Sequence, residues 1–257
     1  MSALSCRSVT VAAAAAEEEL RRVFLQYGSS SVFLVEMTDP DRTVRSGPYQ
    51  RVCLSETQLD FPGLPYSVSV LKPGFCSAHT DGTFRADGTI SLVTGPKTVL
   101  VDTGGPWDRD FLLQSLEDRG VGPGDIELVV GTHGHSDHVG NLNLFPSALM
   151  IVGHDVSEGD TYRPSQLAEG QTFIVDEHVS VLPTPGHTGQ DVSVQVTGTS
   201  AGTVLIAGDL FESWSDEDTW RDLSMNTTVQ EVSRQKALQT ADVIIPGHGL
   251  PFRVLRN

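Results

Sequence analysis

Lysine is nearly missing from this 257-residue chain: Lys72, Lys97 and Lys236 are all it has. Lys and Arg together number 17 against 33 Asp and Glu, giving a formal net charge of −16. A protein that grips a phosphate backbone normally does so with clustered Lys and Arg, and the motif-bearing part of this chain has no basic run. Cysteine is equally sparse. Cys6, Cys53 and Cys76 are an odd number at irregular spacing, which suggests no disulfide framework and points to a reducing setting, cytosolic or nuclear. No apolar run approaches the roughly 20 residues of a membrane-spanning helix, so no membrane association is expected. The alanine run Ala12 to Ala16 is weakly apolar and is followed at once by Glu17–Glu19 and Arg21–Arg22, a poor match to a signal peptide.

What the chain does have is a hydrophobic fraction of 39 %, enough for a proper core. Residues 1–63 carry no motif and read as an N-terminal extension outside the core, mobile by composition; residues 64–257 read as the functional domain. From Tyr66 onward, strand-like text alternates with helical text. Tyr66–Leu71, Thr89–Val93, Thr98–Val101 and Ile126–Val130 read as strands. Pro106 opens a helix whose apolar stripe is Trp107, Phe111, Leu112 and Leu116, closed by Gly120. The second half repeats the scheme, with strands near Leu149–Val152, Phe173–Val175, Val179–Leu182, Val192–Val196, Thr203–Ala207 and Val243–Ile245, and a helix around Thr228–Gln239. Periodicity alone gives a mixed, layered α and β protein.

The densest chemistry lies in Thr132-His133-Gly134-His135-Ser136-Asp137-His138. In an extended segment His133 and His135 project to one side, and Asp137 and His138 follow as the chain turns. Imidazole and carboxylate without thiolate is ligand chemistry for zinc or another imidazole-tolerant divalent metal such as iron or manganese. One cluster cannot close two coordination spheres. Further candidates come from Pro185-Gly186-His187, Gly208-Asp209 and Pro246-Gly247-His248, each after an apolar run and so at the end of a buried strand, where rigid scaffolds present reactive groups.

The order of these motifs, with Asp102 in VDTGGPW, then VVGTHGHSDHVGNL, TPGHTGQDVSV, AGDLFE and IIPGHGLPFRVLR, resembles the metallo-β-lactamase superfamily from about Tyr66 onward. The resemblance implies an αββα sandwich: two mixed sheets face to face with helices outside. It implies two Zn2+ per chain, the first held by His133, His135 and His187, the second by Asp137, His138 and His248, with Asp209 bridging. Asp102 would brace the histidine loop rather than bind metal. Asp137 would be catalytic, orienting a metal-bound hydroxide and accepting its proton. Asn141 stands where many relatives have a glycine, which touches substrate fit more than metal binding. At its nearest, the resemblance implies an endoribonuclease acting on histone pre-mRNA 3′ ends, cytosolic and homodimeric.

The residues themselves rank the substrate differently. Glu212, Asp216-Glu217-Asp218 and Asp222 follow Asp209 closely; they read as a solvated loop, or, if they overhang the site, as a barrier to polyanions. The spacings from His187 to Asp209 and from Asp209 to His248 leave no room for a large RNA-gripping insertion. A glyoxalase II-like hydrolase of small thioesters therefore stands beside the RNA reading, and a mononuclear iron persulfide dioxygenase behind both. His154 reads as a strand cap, and His79 and His178 as solvated. Tyr162, Arg163, Arg253 and Arg256 are candidate substrate contacts.

Overall fold

The structure, a computed structural model, describes residues 43–256. Its strands in the first half are β1 (Thr43–Ser46), β2 (Tyr49–Cys53), β3 (Asp60–Phe61), β4 (Ser67–Lys72), β5 (Phe75–Ala78), β6 (Phe84–Asp87), β7 (Ile90–Thr94), β8 (Val99–Val101) and β9 (Leu128–Gly131). There follow β10 (Leu149–Val152), β11 (Asp155–Glu158), β12 (Thr161–Arg163), β13 (Phe173–Ile174), β14 (Val179–Pro183), β15 (Val192–Thr199), β16 (Gly202–Gly208), β17 (Val243–Pro246) and β18 (Phe252–Arg256). Among the described residues three α-helices are interspersed: α1 (Arg109–Glu117), α2 (Ser136–Val139) and α3 (Thr227–Thr240). Among the described residues no helix is long and apolar enough to cross a membrane.

The strands form two eight-stranded mixed sheets. One runs β12-β11-β10-β9-β8-β7-β4-β3, the other β1-β2-β18-β17-β16-β15-β14-β13, and β5–β6 is a separate hairpin. Pairing is parallel at β8–β9, β9–β10 and β16–β17 and antiparallel elsewhere in the two sheets. Period-two alternation explains the layering. Val99 and Val101, Leu128 and Val130, Val204 and Ile206, and Val243 and Ile245 enter one central cluster between the sheets. Their neighbours Leu100 and Val129 pack outward with Leu112 and Leu116 of α1. On the other sheet Leu205, Ala207 and Ile244 pack outward with Ala237 and Leu238 of α3. Strands buried on both faces read as continuous apolar runs, which is how the sequence displays them. This is the layered αββα sandwich.

Two expectations need correction. Residues 43–61, placed outside the core, supply β1, β2 and β3, and β2 is wedged in a sheet against β18 over five register pairs. Arg51 of β2 is fully buried, and Val44 and Cys53 belong to a core cluster. Residues 1–42 of the expected extension, with Ala12–Ala16 and Cys6, lie outside the described residues. The helix after Pro106 has a narrower stripe than its sequence suggests: Leu112 and Leu116 are buried, whereas Trp107 is 65 % exposed and Phe111 43 %.

Candidate metal centre

The histidine and aspartate motifs follow the ends of strands from both sheets. β9 delivers Thr132 and His133, and the chain turns into the single-turn helix α2 carrying Asp137 and His138. β14 leads to His187, β16 to Asp209 and β17 to His248. The glycines in these motifs have steric reasons. A Cβ at Gly247 would occupy the place of the Asp209 carboxylate, and one at Gly186 (φ +147) would collide with Gln230 of α3. The expected ligands do converge. Donor atoms of His133, His135, His187 and Asp209 lie within 4.8 Å of one another, and so do those of Asp137, His138 and His248.

The outward nitrogen of three buried rings is held by oxygen. His138 Nδ1 donates to Asp102 Oδ2 (2.8 Å), and His248 Nδ1 donates to the Asp87 carbonyl (3.1 Å). His133 Nδ1 lies 3.1 Å from Thr132 Oγ1, whose own proton goes to Asp102 Oδ2 (2.9 Å), so the ring is the donor. Asp102 also takes the Thr132 backbone N–H (2.7 Å). It sits at φ +58, a left-handed position that a short polar residue tolerates better than most. Through these contacts Asp102 ties Thr132 to His138. Asn141 is buried and fastens this loop too, donating to the carbonyls of Thr103 (2.9 Å) and Gly105 (2.7 Å).

The inward nitrogens of His133, His138 and His248 then have no hydrogen to share. Nε2 of His133 and of His187 lie 2.8 and 3.2 Å from His135 Nδ1. Asp209 Oδ1 is 3.2 Å from His138 Nε2, and Oδ2 is 3.2, 3.3 and 3.5 Å from Nε2 of His248, His187 and His133. The Nε2 lone pairs of His133, His138 and His248 facing the buried Asp209 carboxylate repel it unless a positive charge lies between them. His138 Nε2 and Asp209 Oδ1 are buried with no hydrogen-bond partner. Burial works against charge on His138 and His248, yet Asp209 overrides it, lifting His138 well above an ordinary imidazole and His248 to about 9. Burial likewise opposes charge on Asp209, and the imidazoles of His138, His248 and His133 still hold it far below the carboxylate range. Protons or cations must occupy these positions, and nitrogen with carboxylate oxygen fits a zinc-like divalent ion. His135 is exposed and Asp137 half-buried, so the centre opens to solvent on their side.

Several contributors were not legible. Glu212 is buried beside His187 and His248 and forms a further donor group with Asp209 and His248; burial, then the Asp209 charge, push its carboxyl up to about 8. Asp216 is also buried, bonded to Arg51 (2.5 Å) and to both terminal nitrogens of Arg234 (2.8 and 2.9 Å). The solvated-loop reading thus holds for Glu217, Asp218 and Asp222 but fails for Glu212 and Asp216. From α3, Gln230 donates to the Asp209 carbonyl (3.0 Å), Ser233 to that of Pro185 (2.9 Å) and Arg234 to that of Leu210 (2.8 Å). Their i, i+3, i+4 spacing was the available signal. The remaining residues singled out in the sequence belong to none of the donor groups. His154 is half-buried and in none of the donor groups, while His178 is half-buried and bonded to Thr197. His79 is exposed. Arg163 pairs with Glu158 and Arg256 with Asp242, and Tyr162 is 72 % exposed.

Comparison with known proteins gives a consistent picture. The family model of the metallo-beta-lactamase superfamily matches residues 85–248. The chain is 49 % identical over 211 residues to metallo-beta-lactamase domain-containing protein 1 of Xenopus laevis, covering 81 % of this chain and 90 % of that one. It is 48 % identical over 226 residues to the Homo sapiens protein of the same name, covering 76 % and 85 %. Among solved structures, an N-acyl homoserine lactone hydrolase with N-hexanoyl-L-homoserine at its catalytic metal centre superposes with a TM-score of 0.54 at 17 % identity, over 73 % of this chain and 94 % of that one. At that identity the likeness is one of fold.

Proposed function

Since the chain belongs to the metallo-beta-lactamase superfamily of metal-dependent hydrolases, we propose that it is a dinuclear zinc enzyme that cleaves RNA phosphodiester bonds, histone pre-mRNA 3′ ends being the substrate the sequence resemblance suggests. The carrying observation is the pair of donor groups joined at Asp209, whose two oxygens face different imidazoles. His133, His135 and His187 would hold one ion, Asp137, His138 and His248 the other, and Asp209 both. Zinc bound there supplies Lewis acidity and lowers the pKa of a coordinated water from about 15.7 to about 7, and a pair of ions suits in-line displacement at phosphorus.

The chain's own residues do the rest. Asp137 Oδ2 lies 3.8 Å from Nε2 of both His138 and His248, which leaves Oδ1 to orient the attacking water and take its proton. Asp102, Thr132 and the Asp87 carbonyl fix which nitrogen of each ring points inward. The substrate enters on the side of exposed His135 and half-buried Asp137. A cytosolic setting and a homodimer belong to the same proposal.

A second reading, hydrolysis of a small thioester, is favoured by charge. Among the described residues no lysine or arginine forms an ion pair with any of the donor side chains, and Asp137 and Glu212 add carboxyl groups beside the imidazoles of the centre. The deciding experiment compares rates of the zinc-loaded protein on single-stranded RNA and on a glutathione thioester, alongside metal analysis expected to give about two zinc ions per chain. RNA cleavage that disappears with Asp209→Asn supports the first reading. Thioester turnover without RNA cleavage replaces it with the second, and a fully active metal-free protein refutes both.

A further inference from the structure

Among the described residues His187 is the one buried imidazole of the centre whose outward nitrogen has no hydrogen-bond partner. Its Nε2 faces Asp209 and His135, while Nδ1 is buried with no hydrogen-bond partner. Opposite it, 3.6 Å away, stands Glu212 Oε1, also buried and also without a partner. Two orphan polar atoms, one able to donate and the other only to accept when ionised, face each other in a place closed to water.

The backbone holds Glu212 there. Its N–H donates to Asp216 Oδ2 (2.8 Å), and its carbonyl accepts from the His248 N–H (2.8 Å). The preceding Phe211 carbonyl accepts from the Gly247 N–H (2.9 Å), so the Asp209 and His248 loops are zipped together beside the side chain. The His187 loop is pinned separately, through Gly186 and His187 carbonyls that accept from the N–H groups of Asn226 (2.9 Å) and Met225 (3.1 Å). Neither loop is free to move off, and no lysine or arginine among the described residues pairs with the Glu212 carboxylate.

We propose that Glu212 is the positioning residue for His187: its carboxylate accepts the Nδ1–H proton, fixing the tautomer that presents Nε2 to the first metal. It does for His187 what Asp102 does for His138 and the Asp87 carbonyl does for His248. The inference rests on the metal-binding reading above but is independent of the substrate. Removing an outer partner of a ligating imidazole typically weakens metal affinity about 10- to 100-fold.

The test uses the full chain and the metal alone. Zinc affinity is measured by chelator competition for the wild type, Glu212→Ala and Glu212→Gln. Glu212→Ala should lose about 10- to 100-fold, and Glu212→Gln, which keeps a carbonyl acceptor, should stay within about threefold of wild type. Cobalt-loaded wild type should also show a slowly exchanging, hyperfine-shifted Nδ1–H signal from His187. That signal should persist in Glu212→Gln and vanish into solvent exchange in Glu212→Ala. Equal affinities and an unchanged signal in Glu212→Ala would overturn the role of Glu212, while a wild type that binds no zinc would overturn the metal reading itself. Should Glu212→Ala fail to fold, the wild-type signal decides: a His187 ring carrying its proton on Nε2 refutes the proposal.

Discussion

Replacing Asp216 with Asn should be among the most damaging single changes outside the donor residues. The carboxylate is the shared counter-ion of two buried guanidiniums, Arg51 with 0 % and Arg234 with 4 % of its surface exposed. Arg51 lies over the rings of Phe211 and Phe252, and Arg234 over Phe211 and Trp220. Those aromatic faces soften the desolvation of the two cations without neutralising them. Breaking a buried ion pair from one side costs about 3–5 kcal/mol, and two cations stranded by one change place Asp216→Asn at the upper end. A domain of about this size loses roughly 2–4 °C per kcal/mol, so the melting temperature should fall by about 10–20 °C. The assay is calorimetry on wild type, Asp216→Asn and the triple variant Arg51→Met, Asp216→Leu, Arg234→Met. The triple variant removes all three charges and should recover most of the loss. A drop of less than about 3 °C for Asp216→Asn would refute the claim that this cluster is an essential buried neutralisation.

Other outcomes follow from the centre and the core. Asp137→Asn should abolish turnover while the circular dichroism spectrum of the folded protein is retained; near-normal rates would remove its proton-accepting role. Asp102→Ala should weaken zinc binding by about 10- to 100-fold in chelator competition, because His133, through Thr132, and His138 both lose their common acceptor; unchanged affinity would contradict that brace. Burial opposes charge on Asp176, but the Tyr66 hydroxyl and the N–H groups of His178 and Val179 still hold its carboxyl below the ordinary range. With the folded value depressed, its contribution is present above the unfolded value near about 3.9 and is lost as pH falls through the lower folded value. Urea midpoints should therefore decline less steeply with acid in Asp176→Asn than in wild type, and parallel curves would contradict this.

The donor motifs were legible because ligation constrains residue type and spacing locally. A ligand must be His or Asp, and its glycine neighbours, Gly186 and Gly247, are where a side chain would strike Gln230 or Asp209. The inner strands were legible because burial on both faces leaves apolar runs such as Leu128–Val130. Illegible elements are those whose burial depends on a distant partner. Tyr49–Cys53 reads as polar text because Arg51 looks like a surface residue, and only Asp216, 165 positions away, makes it an interior one. Glu212 and Asp216 were hidden in an acidic run by the same non-locality. Strand β5 has no buried face to give it a period: all four of its residues are exposed. Trp107 and Phe111 misled in the other direction, since α1 turns only Leu112, Ser115 and Leu116 inward.

The wedging of β18 between β2 and β17 has a kinetic consequence. Strand β2 has only the short β1 beside it until the chain out to residue 256 has emerged and closed a loop of some two hundred residues. Pairings of such long range form slowly and late. His248 and Asp209 belong to that same late-closing sheet, whereas His133 to His138 belong to the other. Neither sheet alone brings together a complete set of donors. An ion is thus a poor nucleus for folding and a good latch after it: protein refolded with chelator should reach the scaffold at the same rate as protein refolded with zinc, and differ from it in how slowly it comes apart.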